Sequence, residues 1–323
     1  MRELALAVFA AESDRHVVSE PRDRRFDRFA CGFDQASYLA DLERRGLRWL
    51  PRSGRGFPRS LAAIFDPPPG LFLRGAGDHA LLERPSVAVV GARSCSAYGA
   101  QVARSLGREL ARAGLVVVSG LARGIDGEAH RGALEAGGTT VAVLGCGVDR
   151  DYPRAHAELA ACVGESGLIV SEYAPGVEPA PWRFPARNRI VAGLAQATIV
   201  VEARERSGAL ITADLALEEG REVFAVPGEI TSTLSVGTNA LLRLGATPLT
   251  SASDVLVSFG LAPAPAPAPV PEAAAVLDRL PATADELVRV LGLDAGEVAA
   301  LLVRLELAGS IAEADGVYRA RIG

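Results

Sequence analysis

Residues Val87–Arg93 read Val-Ala-Val-Val-Gly-Ala-Arg, and this stretch decides the fold. Its first four residues are apolar and run directly into Gly91, which is typical of a strand that is buried on both faces and ends in a tight turn. A loop of small residues and a helical run over about residues 100–113 follow. Because a helix N-terminus attracts anions and Arg93 adds a planar guanidinium, we expect this strand–loop–helix unit to hold a phosphate group.

The composition is that of a folded protein that is acidic overall. With 323 residues, 49% of them hydrophobic and 23% charged, the chain is long enough for one large domain and one or two small ones. The net charge of −5 argues against a protein that is basic over its whole surface, but a local basic groove remains compatible with it. All 34 basic residues are arginines, so any basic site is an arginine site.

Signals for metal binding, disulfides and membrane insertion are not found in the sequence. The four cysteines include no Cys-x-x-Cys pair, which argues against a zinc site or a disulfide framework and suits a reducing compartment. The segment Met1–Ala11 lacks the basic start and the cleavage site of a signal peptide, and no apolar run has the length of a membrane span. We therefore expect a cytoplasmic protein with no metal ion and no membrane contact.

Apolar runs alternate with helical patterns after residue 87, which predicts an α/β fold: an extended Rossmann-like, mostly parallel sheet with helices on both faces. Ligands of such sheets bind beyond the carboxyl ends of the strands, where this chain places most of its Gly, Ser and Arg residues. The further predicted strands are Val116–Ser119, Thr140–Leu144, Leu168–Ser171, Ala197–Val201, Glu222–Val226 and Thr247–Leu249. Three helices are predicted between them: one that ends near Ala136, one over Ile190–Leu194 and one over Ile211–Glu219.

Composition shifts divide the chain into four parts. Residues 1–64 are a short, divergent and partly helical N-terminal region, and residues 65–260 are the Rossmann-like domain. Residues 261–271 form an Ala-Pro linker, which predicts a stiff extended spacer. Residues 272–323 show three helical patterns and a hairpin turning at Asp315-Gly316, with a capping box between Thr283 and Glu286, so we predict a winged-helix module.

The strand–loop–helix unit is a poor match to a dinucleotide-binding fingerprint. Arg93 stands where the second glycine of Gly-x-Gly-x-x-Gly would approach a pyrophosphate, and no acidic residue ends the second strand. A phosphate loop of the Gly-x-x-x-x-Gly-Lys type is also missing, since the chain has no lysine. We therefore expect no cofactor.

The segment Trp182–Arg189 reads Trp-Arg-Phe-Pro-Ala-Arg-Asn-Arg and is predicted as a loop just before a helix. Because bases stack on aromatic rings and arginines hold phosphates, this composition suits single-stranded nucleic acid. The alternative is a structural segment whose arginines pair with acidic residues. The candidate partners are Glu172, Glu202 and Asp214.

The search for catalytic residues gives no constellation. His130 and His156 lie on predicted helices without a partner, and Asp126 and Asp149 have no evident acid–base partner. Three serines that precede or open helices are explained by N-capping: Ser94, Ser119 and Ser207. We expect a protein that is not an enzyme.

Taken together, the loops resemble the DprA family, also called Smf. The motifs that carry the resemblance are Gly91-Ala92-Arg93, Ser119–Asp126, Phe184–Ile190, Ser207–Ala213, Pro227-Gly228 and Gly237-Thr238-Asn239. The resemblance implies a homodimer that binds single-stranded DNA without cutting it, protects incoming DNA and loads the RecA recombinase during natural transformation.

The resemblance also assigns DNA-binding residues to positions of this chain. These are Gly91, Arg93, Ser94, Arg123, Gly124, Arg154, Phe184, Arg187, Asn188 and Arg189. Two departures from the family pattern concern His156, where members usually have Asn, and the N-terminal region, which is short and divergent. From the pattern we predict that Arg93→Glu and Arg187→Glu each weaken DNA binding while the protein still folds.

Two other functions fit the sequence less well. A phosphoribohydrolase-like nucleotide enzyme would show a Pro-Gly-Gly-x-Gly-Thr loop, whereas here Pro227-Gly228 is followed by Glu229. A winged-helix DNA-binding regulator would read duplex DNA with its third helix, but the corresponding pattern contains only one arginine, Arg304.

Overall fold

The structure is a computed structural model that describes residues 2–13, 24–261, 271–307, 310–314 and 316–320. The chain divides into two compact units, Met1–Pro263 and Ala264–Gly323. The boundary predicted at residue 64 falls inside the first unit, and most of the predicted linker lies outside the described residues.

The first unit contains eleven described helices and nine described strands. In chain order they are α1 (Arg2–Glu12), α2 (Arg24–Gly32), α3 (Gln35–Arg44), β1 (Leu47–Pro51), α4 (Arg59–Ala62), β2 (Gly70–Arg74), β3 (Ser86–Val90), α5 (Ala97–Arg112), β4 (Val116–Ser119), α6 (Ile125–Glu135), β5 (Thr140–Val143), α7 (Ala157–Ser166), β6 (Leu168–Ser171), α8 (Arg183–Leu194), β7 (Ala197–Val200), α9 (Gly208–Glu218), β8 (Glu222–Ala225), α10 (Val236–Arg243), β9 (Thr247–Pro248) and α11 (Ala252–Ser258).

All nine strands form one sheet in the order β1-β2-β6-β5-β4-β3-β7-β8-β9. From β6 to β9 every neighbouring pair is parallel, whereas β2 runs antiparallel to both of its neighbours. The chain moves outward from β3 to β6 on one side and then from β7 to β9 on the other, so the strand order reverses between β3 and β7. The predicted mostly parallel, Rossmann-like sheet is confirmed, and its switch point lies at β3.

Strand β3 shows why helices cover both faces. Alternate side chains of a strand point to opposite faces of the sheet. Val87 and Val89 enter one apolar core, which contains side chains of the neighbouring strands and of α5, α6 and α11. Ala88 and Val90 enter a second core, shared with α8 and α9. The continuous apolar run in the sequence therefore reflects burial on both faces.

The main difference from the predicted elements concerns α8. Trp182–Arg189 was predicted as a loop, but the helix begins at Arg183 and includes the three arginines of this segment. Pro185 is its third residue, within the first turn, where a missing N–H group breaks no helical hydrogen bond. The sequence analysis also missed the helices α1, α2, α4, α7, α10 and α11.

The second unit consists of three helices and a three-stranded antiparallel sheet. Its elements are α12 (Pro271–Leu277), β10 (Ala282–Thr283), α13 (Ala284–Leu291), α14 (Ala295–Leu307), β11 (Ile311–Ala314) and β12 (Val317–Ala320), with the strand order β10-β12-β11. The predicted capping box is present, since Thr283 and Glu286 exchange hydrogen bonds at the start of α13. The winged-helix prediction is confirmed, although Asp315 in the hairpin turn lies outside the described residues.

Candidate functional site

A cavity of about 1180 Å³ opens at the carboxyl ends of the parallel strands. Its walls come from the loops that follow β3, β4, β5 and β6 and from the start of α8. A smaller cavity of about 230 Å³ adjoins it at the switch point and reaches the start of α9. The two cavities share five lining residues: Arg93, Gly120, Ala122, Phe184 and Arg187.

The loop after β3 is fastened to Glu202, which follows β7. The Ala92 amide donates to the Glu202 carbonyl (2.8 Å), and the Ser96 amide and hydroxyl donate to the Glu202 carboxylate at 2.9 and 2.5 Å. The sequence predicts a ligand phosphate at the N-terminus of α5. In the structure the Glu202 carboxylate occupies this position. Arg93 in the same loop is exposed.

The loop after β4 brings a second exposed arginine, Arg123, to the large cavity. Gly124 follows with φ +75, and a Cβ atom there would lie 2.3 Å from the carbonyl oxygen of Ala92. Gly124 therefore lets the two loops touch and lines neither cavity. Burial raises the pKa of Asp126 at the start of α6, although Arg187 opposes this. The Asp126 carboxylate accepts from two amides of the same loop.

Arg187 lies beneath both cavities and is only 4% exposed. Its Nη1 donates to the carbonyl oxygens of Gly120 (2.8 Å) and Val143. Burial lowers the pKa of Arg187, while Asp126 acts in the opposite direction. Arg187 therefore ties α8 to the ends of β4 and β5, and its charge reaches the cavities from the floor.

Arg189 lines neither cavity. Its guanidinium makes a bidentate ion pair with Glu172 at 2.7 and 2.6 Å and also bonds the Asp66 carbonyl at 2.8 Å. Both side chains of the Arg189–Glu172 pair are almost fully buried. For Arg189, the structure confirms the structural alternative, in which this arginine pairs with Glu172.

Two aromatic rings face the large cavity. Phe184 and Tyr152 are stacked with centroids 5.3 Å apart and an interplanar angle of 25°, and the Arg93 guanidinium carbon lies 5.0 Å from the Phe184 centroid. Tyr152 is 39% exposed and was missed by the sequence analysis. Its signal was its position shortly after β5, at the same edge of the sheet as Gly91 and Arg123.

The charges around the large cavity leave an excess of arginine. Three lining carboxylates are each held by an arginine at 2.6–2.8 Å, in the pairs Arg45–Asp149, Arg74–Asp151 and Arg150–Glu178. Three exposed lining arginines make no ion pair with any described residue: Arg93, Arg123 and Arg154. We call these three residues the rim arginines.

The polar residues considered for catalysis have structural contacts. Ser207 caps α9 as predicted, but α5 is capped by Ser96 and not by Ser94. The buried Ser119 is not a cap either, since its hydroxyl donates to the Val89 carbonyl. His130 is fully buried, with Nδ1 2.7 Å from the Thr140 hydroxyl, and burial, with the charges of His156 and Arg187, lowers its pKa to about 3.

The ten residues predicted to bind DNA fall into three groups. Arg93, Ser94, Arg123, Arg154, Phe184 and Arg187 line the large cavity; Gly91, Asn188 and again Arg93, Phe184 and Arg187 line the small one; Gly124 and Arg189 line neither. Pro227 of the alternative phosphate loop lines a separate pocket beside α5.

Within the described residues, no group of three or more His, Cys, Asp or Glu side chains is placed to hold a metal ion. None of the described helices has the length and apolar character needed to cross a bilayer.

Comparison with known proteins identifies the family. A model described as DNA recombination-mediator protein A matches residues 49–260, and a model of the DprA winged-helix domain matches residues 261–316. The chain is 49% identical over 203 residues to the DNA processing protein DprA of Streptococcus pneumoniae, covering 63% of this chain and 71% of that protein. It is 41% identical over 299 residues to the protein Smf of Escherichia coli, covering 87% of this chain and 79% of that protein.

Solved structures give the same family. The X-ray structure of DprA from Streptococcus pneumoniae superposes with a TM-score of 0.69 at 40% identity, covering 79% of this chain and 92% of that chain. A structure of DprA from Helicobacter pylori, described as giving insight into its single-stranded DNA binding mode, has a TM-score of 0.58 at 33% identity, covering 63% and 92%. The motifs, the sheet and these matches agree: the chain belongs to the DprA (Smf) family of DNA recombination mediators.

Proposed function

We propose that the protein binds single-stranded DNA in the large cavity at the switch point of its sheet. The observation that carries this proposal is the convergence of the three rim arginines and the Phe184–Tyr152 pair on one open cavity. Guanidinium groups contact phosphates whatever the base sequence, and aromatic rings stack with any base. Single strands are favoured over duplex because only unpaired bases can reach the rings.

The charge balance of the cavity supports a polyanionic ligand. The carboxylates in the lining are neutralised by their own arginines, so the rim arginines set the local potential even though the chain has a net charge of −5. Screening limits the influence of distant acidic residues to about 8–10 Å at physiological salt. The volume, about 1180 Å³, exceeds the usual range of small-molecule sites and suits several linked nucleotides.

The second unit is a weaker candidate for the DNA site. Residues 264–323 contain nine acidic residues and five arginines, a formal charge of −4. Its third helix, α14, contributes Arg304 as its one basic residue. Phosphate contacts need positive charge, so we place single-stranded DNA binding in the first unit.

We assign binding and not catalysis to the cavity. Asp126 accepts from two backbone amides and His130 is buried against Thr140, so both act within the fold. The Helicobacter pylori relative, described by its single-stranded DNA binding mode, supports the same assignment.

The test is fluorescence anisotropy with a labelled oligothymidylate of about 20 nucleotides at low salt. We expect Arg93→Glu and Arg123→Glu each to weaken affinity on the order of tenfold or more, because each variant replaces an attraction for phosphate by a repulsion. Arg112→Glu is the matched control, since Arg112 is exposed at the far end of α5, away from the cavity. Arg304→Glu tests the winged-helix alternative, and a larger loss there than at Arg93 would move the site to the second unit.

We further propose that the bound strand is passed to the RecA recombinase during natural transformation and that the protein acts as a homodimer. Membership in a family of recombination mediators supports the transfer to a recombinase. The homodimer is what the family resemblance implies. RecA ATPase activity on DNA coated with single-strand binding protein measures loading, and we expect this protein to shorten the lag. Light scattering after gel filtration measures the oligomeric state, and a monomer at micromolar concentration would contradict the homodimer.

A further inference from the structure

Leu121, in the loop between β4 and α6, has an unusual backbone. Its φ is 57°, and it is the one non-glycine residue with a positive φ in the described part of the chain. Such a conformation is sterically disfavoured for a residue with a side chain and persists only where the surroundings impose it. The Leu121 side chain is fully buried, so the residue is fixed by packing as well as by its backbone.

Both peptide groups that flank Leu121 are held by hydrogen bonds. On the preceding side, the Gly120 carbonyl accepts from Arg187 Nη1 at 2.8 Å. On the following side, the Ala122 amide donates to Asp126 Oδ2 at 3.4 Å, and the Leu121 carbonyl accepts from Nδ1 of His156 at 3.0 Å. Three side chains from different elements therefore impose the strained loop.

His156 is the member of this group that comes from another wall of the cavity. It ends the short turn after Tyr152, in which Arg154 lines the cavity, and it is only 7% exposed. A Cβ atom on Gly127 would lie 2.6 Å from the His156 ring, so the ring also packs against the first turn of α6. The imidazole thus joins the turn that presents Arg154 to the loop that presents Arg123.

We propose that His156 is a positioning residue for the DNA site: its Nδ1–H bond to the Leu121 carbonyl holds the two loops in register, so that Arg123 and Arg154 face the same polyanion. The imidazole does not line the cavity and acts through the loop. This inference rests on the proposed function for its effect on affinity, but the clamp itself is a property of the free protein.

Three variants separate the hydrogen bond from simple packing. His156→Ala removes the donor, whereas His156→Asn restores an N–H group at the same number of bonds from Cα as Nδ1. We expect His156→Ala to weaken oligothymidylate binding about fivefold to tenfold, because the Leu121 carbonyl loses its partner and no longer holds the loop that presents Arg123. His156→Asn should remain within about twofold of the wild-type affinity. His79→Ala, at a half-exposed histidine, is the control and leaves affinity unchanged.

A double-mutant cycle tests whether His156 acts through Arg123. If it does, Arg123→Ala costs much less affinity in the His156→Ala background than in the wild type, whereas Arg93→Ala costs the same in both. Equal and additive losses for Arg123→Ala in both backgrounds would overturn the inference, even if His156→Ala binds weakly.

Hydrogen exchange without DNA tests the clamp independently of binding. We expect the amides of residues 120–124 to exchange about tenfold faster in His156→Ala, with the β7 amides unchanged and the rate restored in His156→Asn. Unchanged exchange at residues 120–124 would overturn the clamp. If the wild type failed to bind single-stranded DNA, the proposed function would fall, and the exchange result would still decide the inference about His156.

Discussion

Arginines occupy two regions of the candidate site, its rim and helix α8 beneath it, and their roles in the two regions differ. The rim arginines are exposed and make no ion pair within the described residues. On α8, Arg187 and Arg189 are 4% and 7% exposed, and each bonds carbonyl or carboxylate groups from distant parts of the chain. A guanidinium taken out of water requires such partners, whereas an exposed one is free to bind a ligand.

This difference predicts that substitutions in the two regions change different properties, namely stability in one region and DNA affinity in the other. Changes to Arg187, Arg189 or their partners should lower the free energy of unfolding, because they leave buried polar groups without partners. Changes on the rim should lower DNA affinity and leave unfolding unaffected. An affinity loss without destabilisation at Arg187 or Arg189, or destabilisation at the rim arginines, would contradict the comparison.

The largest effect is expected for Arg187→Glu. The new carboxylate would be buried near Asp126 and would face the carbonyls of Gly120 and Val143, so electrostatic attraction becomes repulsion. Breaking buried charge interactions costs about 3–5 kcal/mol, a large part of the stability of a typical domain. We expect little folded protein by circular dichroism, in contrast to the sequence-based prediction that this variant folds. A folded Arg187→Glu protein would show that the floor tolerates a negative charge.

A smaller loss is expected for Glu172→Gln. This change keeps the shape of the side chain but removes the charge that is paired with Arg189 at 2.6 Å. Thermal or urea unfolding should show a loss of about 3 kcal/mol. Oligothymidylate affinity, measured well below the melting temperature, should remain within about twofold, because Arg189 lines neither cavity. A large affinity loss in the folded variant would place Arg189 back in the DNA site.

The two regions also differ in how well the sequence predicts them. Strand β3, Gly91 and Arg93 follow from local patterns: a run of apolar residues, a glycine and an arginine at the edge of the sheet. Strands β4 to β8 are found in the same way, because burial on both faces gives continuous apolar runs, whereas β9 has only two residues and neither is buried. Thus the carboxyl edge of the sheet and Arg93 follow from local pattern, whereas Arg123 and Arg154 were assigned through the family resemblance.

The buried polar contacts beneath the cavities could not be predicted from local sequence pattern. The partner of Arg189 at Asp66 lies 123 residues away, and the Ser96–Glu202 contact that fills the α5 N-terminus spans 106 residues. The sequence predicts a loop at the start of α8 because this half of the helix carries three arginines and Pro185 and shows no apolar period of 3.6 residues. Whether an arginine is free or paired depends on contacts that only the folded chain supplies.

The buried His130 of α6 should also make the free energy of unfolding depend on pH. The pKa of His130 is lowered from 6.5 to about 3 in the folded protein, mainly by burial. Between these two pH values the unfolded chain binds more protons than the folded one. The free energy of unfolding is therefore undiminished by His130 above about pH 7 and decreases as the pH falls below it. The linkage relation gives a loss of about 2 kcal/mol at pH 5. Urea unfolding at pH 5 and 7.5 measures it; His130→Gln should flatten the dependence, and His79→Gln should not.

The smallest change in stability is expected at the rim, for Arg154→Ala. Arg154 is exposed and makes no ion pair with described residues, so the melting temperature should stay within about 1 °C. If Arg154 contacts one phosphate, the slope of log affinity against log salt concentration should decrease by about 0.7, the value for one phosphate of a single strand. Anisotropy titrations between about 50 and 200 mM salt measure the slope, with Arg112→Ala as the control. An unchanged slope would remove Arg154 from the phosphate contacts, and the site would then depend on Arg93 and Arg123.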